Sequence, residues 1–180
     1  VRERNFRFLT VLARVVEQEP GVRVVLKPKA SAEWMVHAGF LSQEPFRSLL
    51  APGMREGRII LLDPSAGEGC SAQYLIRAAE VVVSSGQYVA FGSVWAEALL
   101  LGKPSYVFAP TEFRRGPVVS ELFDRWLFDD EAALVACIRR TLGGASDHAP
   151  DGRLQQLLDP FHDGRAIDRL RDAVLALGAE

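Results

Sequence analysis

Cysteine is scarce. Cys70 and Cys137 are the only two in 180 residues, far apart and without a CxxC pair. A disulfide-stapled fold and a structural zinc site are therefore not expected, and a reduced compartment is. Neither sign of charge dominates: 21 Lys+Arg against 23 Asp+Glu leaves a net charge of −2. General binding to nucleic acid or to a membrane surface has no electrostatic footprint here. The 10 prolines and 15 glycines are too few for a low-complexity chain, and 48% hydrophobic residues argue against disorder. No apolar run reaches the roughly 18 residues that a membrane span needs. The most apolar stretch, 88–102, carries Glu97 and two glycines. The opening VRERNFRFLTVLARVV faintly resembles a signal peptide, but Arg7 and Arg14 break it and no small-residue cleavage site follows. The cytoplasm is the expected location. The chain starts at Val1 rather than Met, which leaves room for a longer natural protein.

Several motifs of common chemistries are also missing. There is no GxxxxGK[ST] loop and no GxGxxG, which removes the usual nucleotide-hydrolase and dinucleotide patterns. Ser71, Ser84 and Ser85 have no G-x-S-x-G context, so no nucleophile elbow is expected. His37, His148 and His162 lack ligand spacing, and no metal is expected.

What is present is an alternation of helices and apolar strands. The spacing of Phe6, Leu9, Leu12, Ala13 and Val16 predicts an amphipathic helix over 5–18, ended by Pro20-Gly21. Continuous apolar runs at 22–28, 58–63, 80–85 and 104–110 read as buried parallel strands. Short helices are expected within 31–50. Further helices are expected over 71–79, 93–102 (closed by Gly102), 117–125, 131–142 and 163–177. Four such strands separated by helices predict an α/β domain with a Rossmann-like open parallel sheet and helices on both faces. The expected organisation is a sheet domain over 1–142, a polar linker over 143–160 and a closing helix over 161–180. Ligands of such sheets bind at the carboxyl ends of the strands, where strand order reverses. Function is therefore expected in the loops after Lys27, Asp63, Ser85 and Ala109.

The segment 78–108 offers the best site. A strand ends in Ser84, Ser85 and Gly86, and a loop with Gly92 and Ser93 then opens a helix. Free N–H groups and hydroxyls at a helix start, with the dipole behind them, can hold an anion. Glu97, one turn in, could accept hydrogen bonds from a ribose diol. The plainer alternative is an N-cap at Ser93 with Glu97 on a solvated face. Lys27 and Lys29 after the first strand, and Arg114 and Arg115 after the fourth, could meet phosphate or an acidic sugar, or could be solvated turns. Trp95, Phe123 and Trp126 read as core or interface.

The run of a strand, SSG, a loop, then EALLLGKP and another strand resembles the carboxyl-terminal, nucleotide-sugar-binding half of GT-B-type glycosyltransferases. It is also similar to the related non-hydrolysing UDP-N-acetylglucosamine 2-epimerases. VVLKPK, FHDGRAIDRL and TEFRR look like further parts of that pattern in the same order. The resemblance implies a GT-B half-domain whose Ser/Gly loop and helix start hold the diphosphate while the Glu holds the ribose. Carried over, it nominates Ser85, Gly86, Gly92, Ser93 and Glu97, with Lys27, Arg114 or Arg115 supplying positive charge. It also implies a nucleoside-diphosphate sugar as donor, a UDP-sugar first among them, with no cofactor and no metal. The setting would be bacterial surface-polysaccharide or glycoconjugate synthesis. The acceptor-binding amino-terminal half would come from a missing domain or partner chain, so no catalytic residue is assigned. SSGQYVAFGSVWAEA lacks the adjacent glycines and paired acids of the epimerases, and fits the general transferase pattern better.

A rival lies at DPSAGEG, 63–69, which resembles motif I of S-adenosylmethionine-dependent methyltransferases. Its glycines would let the backbone approach a ligand at a strand end. The following strand should then end in an acidic residue, but it ends in Ser84-Ser85-Gly86, and no Asn-Pro-Pro-Tyr motif follows. A non-catalytic interaction module, with the first helix or Trp126 covered by a partner, is the remaining alternative.

Overall fold

The computed structural model describes residues 2–28, 44–62, 71–86, 93–109, 111–112, 120 and 122–145. All belong to the first of the two units into which the chain divides, Val1–His148. The closing helix and most of the linker expected beyond 142 lie outside the described residues.

The chain opens with helix α1 (Arg2–Gln18), strand β1 (Val24–Leu26), helix α2 (Phe46–Arg55) and strand β2 (Ile59–Leu61). It continues through α3 (Ala72–Ala78), β3 (Val82–Ser85), α4 (Ser93–Leu100), β4 (Ser105–Phe108), β5 (Leu127–Phe128) and α5 (Glu131–Leu142). Every strand pairing is parallel. β1 pairs with β2, and β3, β4 and β5 form a second ladder in that order. The fold is the expected Rossmann-like α/β arrangement, with its hydrogen bonding divided between two ladders.

Local chemistry sets the element ends. Ser71 caps α3 by accepting from the Tyr74 N–H, and Asp130 caps α5 by accepting from the Ala133 N–H at 2.7 Å. α4 closes as expected on Gly102, whose φ of +69° suits a residue without Cβ. There the Lys103 N–H bonds Ala98 O and the Gly102 N–H bonds Leu99 O, a Schellman pair that satisfies two helix-end carbonyls.

α1 carries a wider apolar face than its spacing predicts, because it packs against both ladders. Val11 and Val15 join Tyr106, Phe108, Phe128, Leu134 and Ile138 in one buried cluster. Leu9, Leu12 and Val16 join Phe46, Leu50 and Ile59 in another. Val83 of β3 packs against both clusters, so α1 lies across the junction of the ladders. Each of these large apolar side chains contributes about 1.5–3 kcal/mol by leaving water.

The helices divide by face. α1, α2 and α5 pack together on one side, while α3 and α4 meet on the other, where Ile76, Val82 and Ala98 are buried. Right-handed crossovers put helices on opposite faces when the chain steps in opposite directions along a sheet. The step from β1 to β2 carries α2 on one face, and the step from β3 to β4 carries α4 on the other.

Three expectations are corrected. The helix expected over 117–125 does not run to its end: 122–126 form a turn, with Asp124 at φ +64°, that feeds the unforeseen strand β5. The remainder of that segment, apart from Ser120, lies outside the described residues. The β1–β2 pair is covered on one face only, because Val25 and Ile60, partners in register on its other face, are 45% and 40% exposed. Trp126 and the apolar stripe of α1 are buried within this unit, so neither is a surface for a partner.

Candidate functional site

In a parallel sheet the helices run back against the strands, which brings helix starts and strand carboxyl ends to one edge. α1 follows this rule. Arg7, in its second turn, reaches Asp129 O just beyond β5, while Val16 O near its far end accepts from Arg58 just before β2.

The β4–β5 side of this edge is closed. Arg4 pairs with Glu112, and Arg7 bonds Glu131 at 2.9 Å and Asp129 O at 3.1 Å. The Arg7 guanidinium also lies 5.2 Å from the centre of the Phe108 ring. Arg14 adds a 3.6 Å contact to Glu131. These pairs are partly solvated and each adds at most about 1 kcal/mol. Their consequence is electrostatic: positive charge on this side is already matched by carboxylates.

The β3–α4 side is different. Ser85 is the last residue of β3, level with Phe108 on β4. The Ser84 and Ser85 hydroxyl oxygens are sealed from solvent and have no hydrogen-bond partner among the described residues. Gly86 is buried, and its N–H donates to Phe108 O at 2.9 Å. It continues the ladder, so that N–H is engaged within the sheet. Ser93 is exposed as the first residue of α4, where the backbone N–H groups have no partner within the helix. Lys27, exposed, follows the carboxyl end of β1 in the other ladder.

Glu97 is half-buried and forms no ion pair or side-chain hydrogen bond among the described residues. At 3.6 residues per turn it lies on the side of α4 opposite Trp95, Ala98 and Leu99, which face the sheet. Glu97 therefore does not join the strand-end hydroxyls, and any contact with a ligand would come from the outer side of the helix. Gly92, Arg114 and Arg115 lie outside the described residues, as do the three histidines and the turn 63–69.

Part of the motif that suggested a ligand serves the scaffold. The Lys103 ammonium donates to Ala79 O at 2.9 Å, tying the end of α4 to the turn before β3. The Trp95 indole N–H donates to Ser105 O at 3.2 Å and anchors α4 on β4. Among the described residues no cluster of three His, Cys, Asp or Glu side chains could hold a metal ion. No helix among them is long and apolar enough to cross a membrane.

Sequence reasoning missed the distinction between Ser84 and Ser85. Val82 is buried with Ala98 of α4, and Val83 packs towards α1. Side chains alternate along a strand, so Ser84 shares the face that α4 covers and Ser85 shares the other. The alternation is readable from the sequence, but its phase relative to α4 is not.

In comparisons with known proteins, no family model matches the chain, and neither a curated protein nor a solved structure matches it.

Proposed function

We propose that this chain is the donor-binding domain of a glycosyltransferase that uses a nucleoside-diphosphate sugar, in bacterial surface-polysaccharide or glycoconjugate synthesis. One observation supports this most. Two sealed hydroxyls without partners among the described residues, those of Ser84 and Ser85, lie at the carboxyl end of β3, the strand that leads towards α4. Polar groups buried without partners are uncommon, and an oxyanion bound on the α4 face would satisfy Ser84. In this reading the N–H groups opening α4 hold the diphosphate and stabilise it as the leaving group when the glycosidic bond breaks. Lys27, Arg114 and Arg115 add positive charge, and Glu97 meets the ribose from the outer side of α4. The acceptor and its base would come from a second domain or chain.

The test is calorimetric titration of the chain with UDP, CDP, GDP and S-adenosylmethionine side by side. Binding of one nucleoside diphosphate is expected, about tenfold weaker in Glu97→Ala with the fold intact. Unchanged affinity in that variant would remove Glu97 from the site. Binding of S-adenosylmethionine alone would favour the methyltransferase alternative, and binding of none of the four would overturn the donor reading. An interaction module is the second reading, supported by the open Val25–Ile60 face.

A further inference from the structure

We propose that the amino-end edge of the strands, opposite the donor site, carries a second small-molecule site, and that it takes a zwitterion with an apolar substituent, an aliphatic α-amino acid in class. The proposal goes beyond the donor reading and does not depend on it. α1 and α5 both end at this edge, where Arg139 bonds Glu19 at 2.5 Å. A cleft of about 570 Å³ lies between these helix ends and Glu80, which precedes β3. Clefts that hold small ligands run from roughly 300 to 1,000 Å³.

Its lining is chemically mixed. Val22 and Leu142, each packed on the core cluster that α1 and α5 share, supply apolar surface. Glu19 and Arg139 satisfy each other. Glu80 and Arg140 also line the cleft, and neither has an ion pair among the described residues; Arg140 touches Cys137 Sγ at 3.7 Å. One carboxylate and one guanidinium left over beside an apolar surface match an ammonium and a carboxylate on one small molecule. The guanidinium fork suits the carboxylate. A nucleoside diphosphate would instead meet the carboxylates of Glu19 and Glu80.

The glycines of the cleft agree. Gly57, Gly102 and Gly144 are explained by positive φ, and Gly53 by Ile59, which leaves no room for a Cβ. Neither cause applies to Gly21 or Gly143, which line the cleft. Both lie outside the left-handed region. Nothing stands within 4 Å of a Cβ built at Gly21, and one at Gly143 makes only ordinary contacts of 3.5 Å. The backbone would accept a side chain at either position, so what their bareness preserves is the space of the cleft.

The experiment is NMR titration of the full chain with L-leucine, with isocaproate, which lacks its ammonium, and with isoamylamine, which lacks its carboxylate. Leucine should bind at least about tenfold more tightly than either analogue. Glu80→Gln and Arg140→Gln should each weaken leucine about tenfold. Gly21→Leu should abolish binding without lowering the melting temperature. No binding of leucine by the wild type at about 20 mM would overturn the proposal. So would wild-type affinity in a folded Gly21→Leu, or equal affinity for either analogue. If Gly21→Leu melts lower, wild-type affinity in both charge variants, which change exposed positions, would overturn it alone. Titration of the same variants with UDP reads the donor site separately, and any loss confined to leucine leaves that reading as it was.

Discussion

The two ladders of the sheet are built from similar residues and held very differently. β4 is buried along its whole length, with Tyr106, Val107 and Phe108 enclosed between α5 and α1 on one face and α4 on the other. The β1–β2 pair is packed by α1 and α2 on one face, while Val25 and Ile60 stand open on the other. An apolar, β-branched run is thus compatible with either environment. What decides burial is whether a crossover helix lands on that face, and that is a property of topology rather than of the strand.

The largest test of this contrast is Trp95→Ala. Trp95 is fully buried and bonds Ser105 O, so the change should cost about 3–5 kcal/mol in urea unfolding. A cost below about 1 kcal/mol would mean that α4 does not secure β4. A smaller, directional test uses the polar chain on the other face of β4. Thr141 Oγ1 donates to Cys137 O, so the Tyr106 hydroxyl must donate to Thr141 Oγ1, at 2.6 Å. Thr141→Val removes both bonds of the chain and should cost about 1–3 kcal/mol. Tyr106→Phe leaves the Thr141–Cys137 bond intact and should cost about 0.5–1.5 kcal/mol. The reverse ranking would refute the assigned direction of donation. The smallest effect belongs to the open face: Val25→Thr and Ile60→Thr should each change stability by no more than about 0.5 kcal/mol. A loss of 2 kcal/mol at either position would show that the face is covered in solution and would erase the contrast.

These differences track what the sequence could express. Ser71 and Gly102 marked helix ends because capping is local chemistry, and the long apolar runs marked strands. β5 was not legible: Leu127 and Phe128 sit between Trp126 and Asp129, too brief a pair to show a period. α2 was only partly legible because Pro52-Gly53 reads as a break. In the fold Gly53 lies directly over Ile59, where an added Cβ would come within 2.6 Å of Cδ1. At the site, the residue types at the end of β3 and the start of α4 were readable, and their facing was not. Ser84, Ser85 and Glu97 stand within fourteen residues, yet they point to the α4 face, the α1 face and the outer side of α4. Facing is fixed by which neighbour buries Val82, and that neighbour arrives from elsewhere in the chain. The double duty of EALLLGKP had the same cause: Gly102 and Lys103 complete a helix end and a turn anchor, roles a motif does not separate from ligand binding.

The place of α1 has a kinetic consequence. It is the earliest helix in the chain, but Arg7 finds Glu131 across 124 positions and Glu19 finds Arg139 across 120. Closing loops of that length before any contact rewards them slows folding. During synthesis the Leu9–Leu12–Val16 stripe can meet α2 early, but the Val11–Val15 stripe stays bare until α5 has left the ribosome. The second face of the helix that joins the two ladders is covered late, and for that interval its exposed stripe is where misassembly would begin.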